Sequence, residues 1–355
     1  MVACEHPLAA LAAIDMLRKG GTAADGAIAA AAVLAVVEPM ATGIGGDAFC
    51  LVAPKGSAAI EGYNGCGRAP RALSLAHFAG QNLARIPMDS PHAVTVPGAV
   101  DCWFALLARH GRLDPATVLA PAIAYAREGF AVTPRVAYEW DVIGKPKLAR
   151  NAHAARHWLP DGGAPRVGAM FRHPALAVTL EDIARHGRDG FYQGRVAEDM
   201  VASLRALGAT HVLEDFAAHT GNWVTPVRST YRGVEVCEIP PNGQGVTTLL
   251  MLNILENFAL KEVGPVCAER LHLEAEAARL AFVERGRWIA DPDHSNESVA
   301  HFTDKAFAKS LAAQIDLTRA ATAAPAMRTG DTTYLAVADA DGTMVSFINS
   351  IYHGW

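Results

Sequence analysis

The residues with most chemical potential lie at the end of the chain. From Thr332 it reads T-T-Y-L-A-V-A-D-A-D-G-T-M-V-S-F-I-N-S-I-Y-H-G-W, two β-rich runs about an Asp-Gly turn, which is a hairpin pattern. A three-residue loop Ala340-Asp341-Gly342, with Gly342 in the left-handed conformation, pairs Asp339 with Thr343 and so sets Thr332 opposite Ser350. Two hydroxyls then share one sheet face. A two-residue loop Asp341-Gly342 would instead pair Thr333 with Ser350 and turn Thr332 to the other face. A hydroxyl is a nucleophile when a base is supplied, whereas threonines in a strand also satisfy ordinary β-propensity. From these residues alone both readings stand.

Other candidates are weaker. A-T-G-I-G-G-D-A-F-C-L-V-A at 41–53 places a glycine loop before a strand, the reverse of the strand, loop, helix order of a dinucleotide fingerprint. H-L-E-A-E at 272–276 lacks the second histidine of a zinc-protease helix. Trp223, Trp288 and Phe282 read as core or rim. The six cysteines (Cys4, Cys50, Cys66, Cys102, Cys237, Cys267) contain no C-x-x-C pair, which argues against a zinc site and against a disulfide framework. No metal or organic cofactor is expected.

Composition narrows the partners. The chain has 355 residues, 31 Lys plus Arg against 36 Asp plus Glu, a net charge of −5 and 51% hydrophobic residues. A mild acidic excess without a basic run lacks the footprint of a nucleic-acid binder. The Ala-rich run at 23–37 is broken by Asp25, and no segment is long and apolar enough to span a bilayer. A small molecule or another protein is the expected partner. The opening M-V-A-C-E-H-P-L has no charged-then-apolar leader pattern, so the expectation is a cytoplasmic protein or one whose leader is missing.

Around these residues the chain reads as helices first and strands late. Pro7 opens a helix that stops at Gly20-Gly21; Thr22, with Asp25 three residues on, caps a second that runs to Glu38 and is closed by Pro39. So small a side-chain set marks this second helix as buried. Further helices are expected at 98–110, at 115–128 behind the cap Asp114, at 174–186, 193–207, 246–258 and 266–286, with strands in W-V-T-P-V and in Y-R-G-V-E-V-C-E-I, closed by P-P-N-G-Q-G at 240–245. The order fits one layered α/β domain better than two separable ones.

In this setting the sequence resembles the γ-glutamyltranspeptidases and the γ-glutamyltransferase-like acylases of the N-terminal nucleophile hydrolase superfamily. The motifs occur in the family's order: M-V-A-C-E-H-P-L-A at 1–9, K-G-G-T-A-A-D-G-A-I-A-A-A at 19–31, V-V-E-P-M-A-T-G-I-G-G-D-A-F at 36–49, V-P-G-A-V at 96–100, T-L-E-D-I-A-R-H-G at 179–187, F-Y-Q-G at 191–194, P-P-N-G-Q-G-V-T-T-L-L-M-L-N-I-L-E at 240–256 and G-D-T-T-Y-L-A-V-A-D-A-D-G-T-M-V-S at 330–346. The resemblance implies a four-layer αββα sandwich with the hairpin in a central sheet. It also implies a precursor that cuts itself at Asp331–Thr332, with 1–331 as the large-subunit region and 332–355 as the start of the small one, in the same domain. The rest of the small subunit is expected beyond Trp355, so this chain reads as truncated and inactive alone.

By the same resemblance Thr332 is the nucleophile, and its freed α-amine, of pKa near 8, accepts the hydroxyl proton. Ser350 falls at the family's second-hydroxyl position. The expected reaction is hydrolysis or transfer of a γ-glutamyl or related acyl group from an amide to water or an amine, through an acyl-threonine ester, in a large/small subunit heterodimer. Two positions depart from the glutathione-type pattern. Tyr352 stands where an asparagine contacts the substrate's α-amino-acid end, and Cys66 of G-C-G-R-A-P stands at the carboxylate-binding arginine. Arg68, two residues on, would keep the same face if the segment were a strand and could hold a carboxylate, or it is a surface arginine. A glutaryl or cephalosporin-type acylase, or a non-catalytic large-subunit fragment, are the alternatives.

Overall fold

A computed structural model describes residues 1–83, 85–295, 299–321 and 332–354. In chain order the strands are β1 (Val2–Ala3), β2 (Asp47–Ala53), β3 (Glu61–Gly65), β4 (Phe130–Ala131), β5 (Met170–Phe171), β6 (Asn222–Val224), β7 (Val227–Tyr231), β8 (Val234–Glu238), β9 (Thr333–Ala338) and β10 (Met344–Ser350). Six form one sheet in the order β1-β9-β10-β2-β3-β6, while β4 pairs with β5 and β7 with β8. The described residues group into two compact units: one holds 1–57, 63–222 and 332–354, and the other holds 58–62 and 223–321.

In the first unit the helices begin and end where local chemistry directs. Helix α1 (Pro7–Arg18) starts at Pro7, and the His6 ring Nδ1 accepts the Leu8 N–H at 3.2 Å. Helix α2 (Ala23–Val37) opens with a capping box: Thr22 N–H donates to Asp25 Oδ2 at 2.7 Å and the Thr22 hydroxyl accepts the Asp25 N–H. The other Asp25 lone pairs accept N–H groups of Arg112 and Leu113. All fifteen residues of α2 are buried. Its small side chains let it lie close to α1, to helix Pro115–Glu128 and to β9 and β10.

The hairpin takes the three-residue-loop register. Asp339 N–H donates to Thr343 O at 3.1 Å, Gly342 has φ +96°, and β9 pairs with β10 from Ala338 opposite Met344 to Thr333 opposite Asn349. A left-handed residue there is what the loop needs and glycine supplies it at least cost. The turn is also tied to the helical layer, because Asp339 Oδ2 accepts the Ala23 N–H at the N-terminus of α2 at 3.0 Å. Both strands are interior to the sheet, between β1 and β2.

The sheet has two unlike faces. Thr333, Leu335, Val337, Val345, Phe347, Asn349, Ala48, Cys50 and Val52 are buried on the helix side, whereas Tyr334, Met344 and Ile348 on the other side are 52%, 55% and 37% exposed. In the first unit this sheet and the helices on its buried face supply one β layer and one helical layer of the αββα arrangement.

In the second unit the run Y-R-G-V-E-V-C-E-I is not one strand. Arg232 and Gly233 take φ of +52° and +84°, the two-residue turn that joins right-handed twisted strands, so β7 and β8 form a hairpin in register Tyr231 opposite Val234. Helices Val246–Leu255, Ala268–Trp288 and Lys305–Ala312 share a core around Leu250, Ala277, Leu280 and Phe302. The acids of H-L-E-A-E serve this helix: Glu274 pairs with Arg270 and Glu276 with Arg279, both at 2.8 Å.

Candidate active site

Thr332 precedes β9 and Ser350 ends β10, and the register sets them side by side on the open face. Their hydroxyl oxygens are 2.9 Å apart. Ser350 Oγ also accepts the Tyr352 N–H at 2.8 Å, in a turn that puts Tyr352 at φ +72° with its side chain 75% exposed. Asp331, the residue before the expected cleavage, lies outside the described residues.

The next residue on each strand faces the other way and does structural work. Thr333 Oγ1 donates to Asn349 O at 3.1 Å. Asn349 Oδ1 accepts the Trp103 indole N–H at 3.2 Å, and its Nδ2 donates to Gly43 O at 3.3 Å and Asp47 O at 3.2 Å. This buried amide clamps the glycine loop to the end of β10. The loop comes so close that a Cβ on Gly46 would sit 2.0 Å from Ser350 O, a contact that only glycine allows. Sequence reasoning passed over Asn349, whose importance comes from partners about 246 and 306 positions away.

Asp47 was also passed over. It stands opposite Ser350 on β2, and its carboxylate accepts N–H groups of Gly67 at 2.9 Å and Gly98 at 3.2 Å and the Cys66 thiol at 3.3 Å. Burial pushes its carboxyl above the usual range, and the hydrogen bonds from Gly67, Cys66 and Gly98 work against that rise. Cys66 therefore meets a carboxylate where the resemblance placed an arginine.

Arg68 does not keep the face of a strand, because β3 ends at Gly65. The chain there is a loop strapped to its neighbour by Val96 N–H to Arg68 O at 2.9 Å. Its exposed side chain sits near buried His219, whose ring is held below the usual histidine pKa by burial first and by the nearby Arg188 and Arg68 charges.

The V-P-G-A-V and F-Y-Q-G segments meet in a buried knot that supports this loop. Tyr192 OH donates to Pro97 O at 2.7 Å and accepts the Asp101 N–H at 3.1 Å. The Asp101 carboxylate accepts Arg188 Nε and Tyr63 OH, each at 2.6 Å, and the Gly221 N–H at 2.8 Å. Burial would raise its pKa, but the hydrogen bonds from Tyr63, Arg188 and Gly221 together hold it below the usual carboxylate value. The knot sets the 96–99 segment, whose Gly98 and Ala99 N–H groups donate to Gly46 O.

Among the described residues no helix is long and apolar enough to cross a membrane, and no group of three His, Cys, Asp or Glu is gathered for a metal.

The family model for gamma-glutamyltranspeptidase matches residues 9–355. The chain is 40% identical to the glutathione hydrolase-like YwrD proenzyme of Bacillus subtilis (strain 168), over 99% of this chain and 66% of that protein. It is 31% identical to the glutathione hydrolase proenzyme of Escherichia coli (strain K12), over 98% of this chain and 61% of that protein. Among solved structures, cephalosporin acylase from Bacillus halodurans superposes with a TM-score of 0.91 at 38% identity, covering 99% of this chain and 66% of that one. Helicobacter pylori gamma-glutamyltranspeptidase gives 0.81 at 28%, covering 92% and 96%. The chain spans just under two thirds of the length of these curated relatives. A match over nearly every residue, with the motifs in order and the hairpin in the required register, places the chain in the gamma-glutamyltranspeptidase family.

Proposed function

We propose that the complete protein is a self-processing amide hydrolase or acyltransferase of the γ-glutamyl type, with Thr332 as nucleophile. The observation that carries this reading is the Thr332–Ser350 hydroxyl pair on the open sheet face. Ser350 Oγ already accepts the Tyr352 N–H, which favours turning its own O–H toward Thr332 Oγ1. A donor aimed at that oxygen stabilises the negative charge that develops as the proton leaves.

Cleavage of the Asp331–Thr332 bond frees the Thr332 α-amine. The amine takes the hydroxyl proton as Oγ1 attacks the substrate's amide carbonyl. The leaving amine departs with a proton returned from the α-ammonium, and an acyl-Thr332 ester remains. Water or a second amine then attacks the ester and regenerates the hydroxyl. One residue supplies nucleophile and base, and the two chains left by the cut stay together as a heterodimer.

The Cys66–Asp47 contact supports a second element of the reading. A carboxylate beside the position expected to carry a guanidinium weakens selection for the glutamate α-carboxylate, so glutaryl-type donors should be accepted as well. Arg68 and Tyr352 are the remaining candidates for holding the acyl donor.

Intact mass of the complete gene product tests the mechanism. Two chains divided before Thr332 are expected, with Thr332→Ser cutting more slowly. A division elsewhere, or a Thr332→Ala protein that still divides and turns over substrate, would overturn it.

A further inference from the structure

Within the first unit, the segment from helix Ala152–Trp158 to the start of helix Pro174–His186 encloses a cleft of about 720 Å³, within the size range of small-molecule sites. Arg156, Arg166 and Arg172 line it, against the one lining carboxylate, Asp161. This is a local excess of positive charge in a chain whose net charge is −5. Neither the Arg156 nor the Arg166 guanidinium has an ion pair or hydrogen bond among the described residues. Elsewhere on the surface Arg127 pairs with Glu181 and Arg195 with Asp182.

The third arginine is held by its root. Arg172 Nε donates to Glu128 O at 2.8 Å, so its terminal nitrogens remain for a ligand. His173, also in the lining, accepts the Leu176 N–H on Nδ1 at 3.0 Å, which leaves Nε2 to carry the hydrogen. Burial, with His157 beside it, lowers this ring to about 4, so near neutral pH it is an uncharged donor. His157 stacks on it with planes 8° apart, and Trp158 packs edge-on at 4.5 Å between ring centres. The lining thus combines the stacked His157–His173 pair, backed by Trp158, with cationic arms.

We propose that this cleft binds a small molecule bearing two or more anionic groups. A guanidinium fork matches both phosphate and carboxylate oxygens in bidentate fashion, and three guanidinium charges against the single Asp161 carboxylate leave more positive charge than one singly charged group neutralises. The inference does not depend on Thr332 being the nucleophile.

Calorimetric titration of the full-length protein in low salt decides it, with inorganic pyrophosphate and citrate as probes and acetate as the single-charge control. Saturable binding of either probe with Kd below about 1 mM, absent for acetate, is expected. Pyrophosphate alone would identify a phosphate-bearing ligand and citrate alone a polycarboxylate. The double variant Arg156→Ala/Arg166→Ala should weaken binding at least tenfold, while Arg156→Lys/Arg166→Lys should retain part of it. Both arginines are exposed, and an unchanged melting temperature would show that the fold is intact. No saturable heat up to about 10 mM of either probe, or equal affinity in the alanine variant, would overturn the proposal.

Discussion

The two faces of the β9–β10 hairpin are one residue apart in sequence and opposite in role. Thr332 and Ser350 meet on the open face, where their hydroxyls have each other and the Tyr352 N–H. Thr333 and Asn349 meet on the buried face, where each polar atom is committed to a backbone or indole partner. The same residue types thus do different work according to what surrounds them. A hydroxyl on an open face is available for chemistry, while a polar group on a buried one must be satisfied or it destabilises the fold.

The largest way to break this contrast is Thr332→Ala. Processing and turnover should fall by on the order of 10⁴-fold or more, while stability changes by less than about 0.5 kcal/mol, as for other exposed positions. Mass spectrometry and denaturant melts on the same sample would separate the two effects. A large loss of stability would show that the open face is structural after all.

Asn349→Ala should do the reverse. It strands the Trp103 indole N–H and removes one donor from the Gly43 and Asp47 carbonyls, at a cost of roughly 2–3 kcal/mol in stability, read as a lower denaturant midpoint at unchanged slope. Cleavage should persist at temperatures where the variant is folded.

Ser350→Ala is expected to slow processing and turnover about 10- to 100-fold, the effect of losing one hydrogen bond to a charged oxygen. Ser350→Thr keeps the hydroxyl and should stay near the parent rate. Equal loss in both variants would point to packing rather than to the hydroxyl.

Selectivity sharpens the comparison at the edge of the open face. With the Cys66–Asp47 contact in place of a guanidinium, the preference for γ-glutamyl over glutaryl anilides should stay below about a hundredfold, near 2.7 kcal/mol. A steeper preference, lost on Arg68→Ala, would return the carboxylate-holding role to Arg68.

The smallest effect is expected at the turn. Asp339→Ala removes the acceptor for the Ala23 N–H at the start of α2 and should destabilise by about 1 kcal/mol, with processing unchanged at low temperature.

The hairpin and its register were legible because they depend on local rules: a loop with glycine at its left-handed position, and a period of two that then fixes every facing pair. The capped starts of α1, α2 and helix Pro115–Glu128 were legible for the same reason, since Pro7, Thr22 with Asp25, and Asp114 act within three residues of themselves. Where the pattern misled, a local feature had two meanings. Arg232-Gly233 sits inside a β-rich run that reads as one strand, and only its positive φ angles divide β7 from β8. Arg68 follows G-C-G in a run that reads as a continuing strand, whereas the backbone has left the strand at Gly65.

By itself, the sequence determined the helical caps, the hairpin with two possible registers, one of which faces Thr332 with Ser350, and membership in a family whose motifs it carries in order. Tertiary structure decided which polar residues the interior engages. Asp47 is engaged by Cys66, Gly67 and Gly98, Asn349 by Trp103 and the glycine loop, and Asp101 by Tyr63, Arg188 and Gly221. Those partners lie tens to hundreds of residues away, and no local propensity encodes them. They form because a buried donor or acceptor without a partner is costly, and the folded chain is where partners from distant segments come within reach.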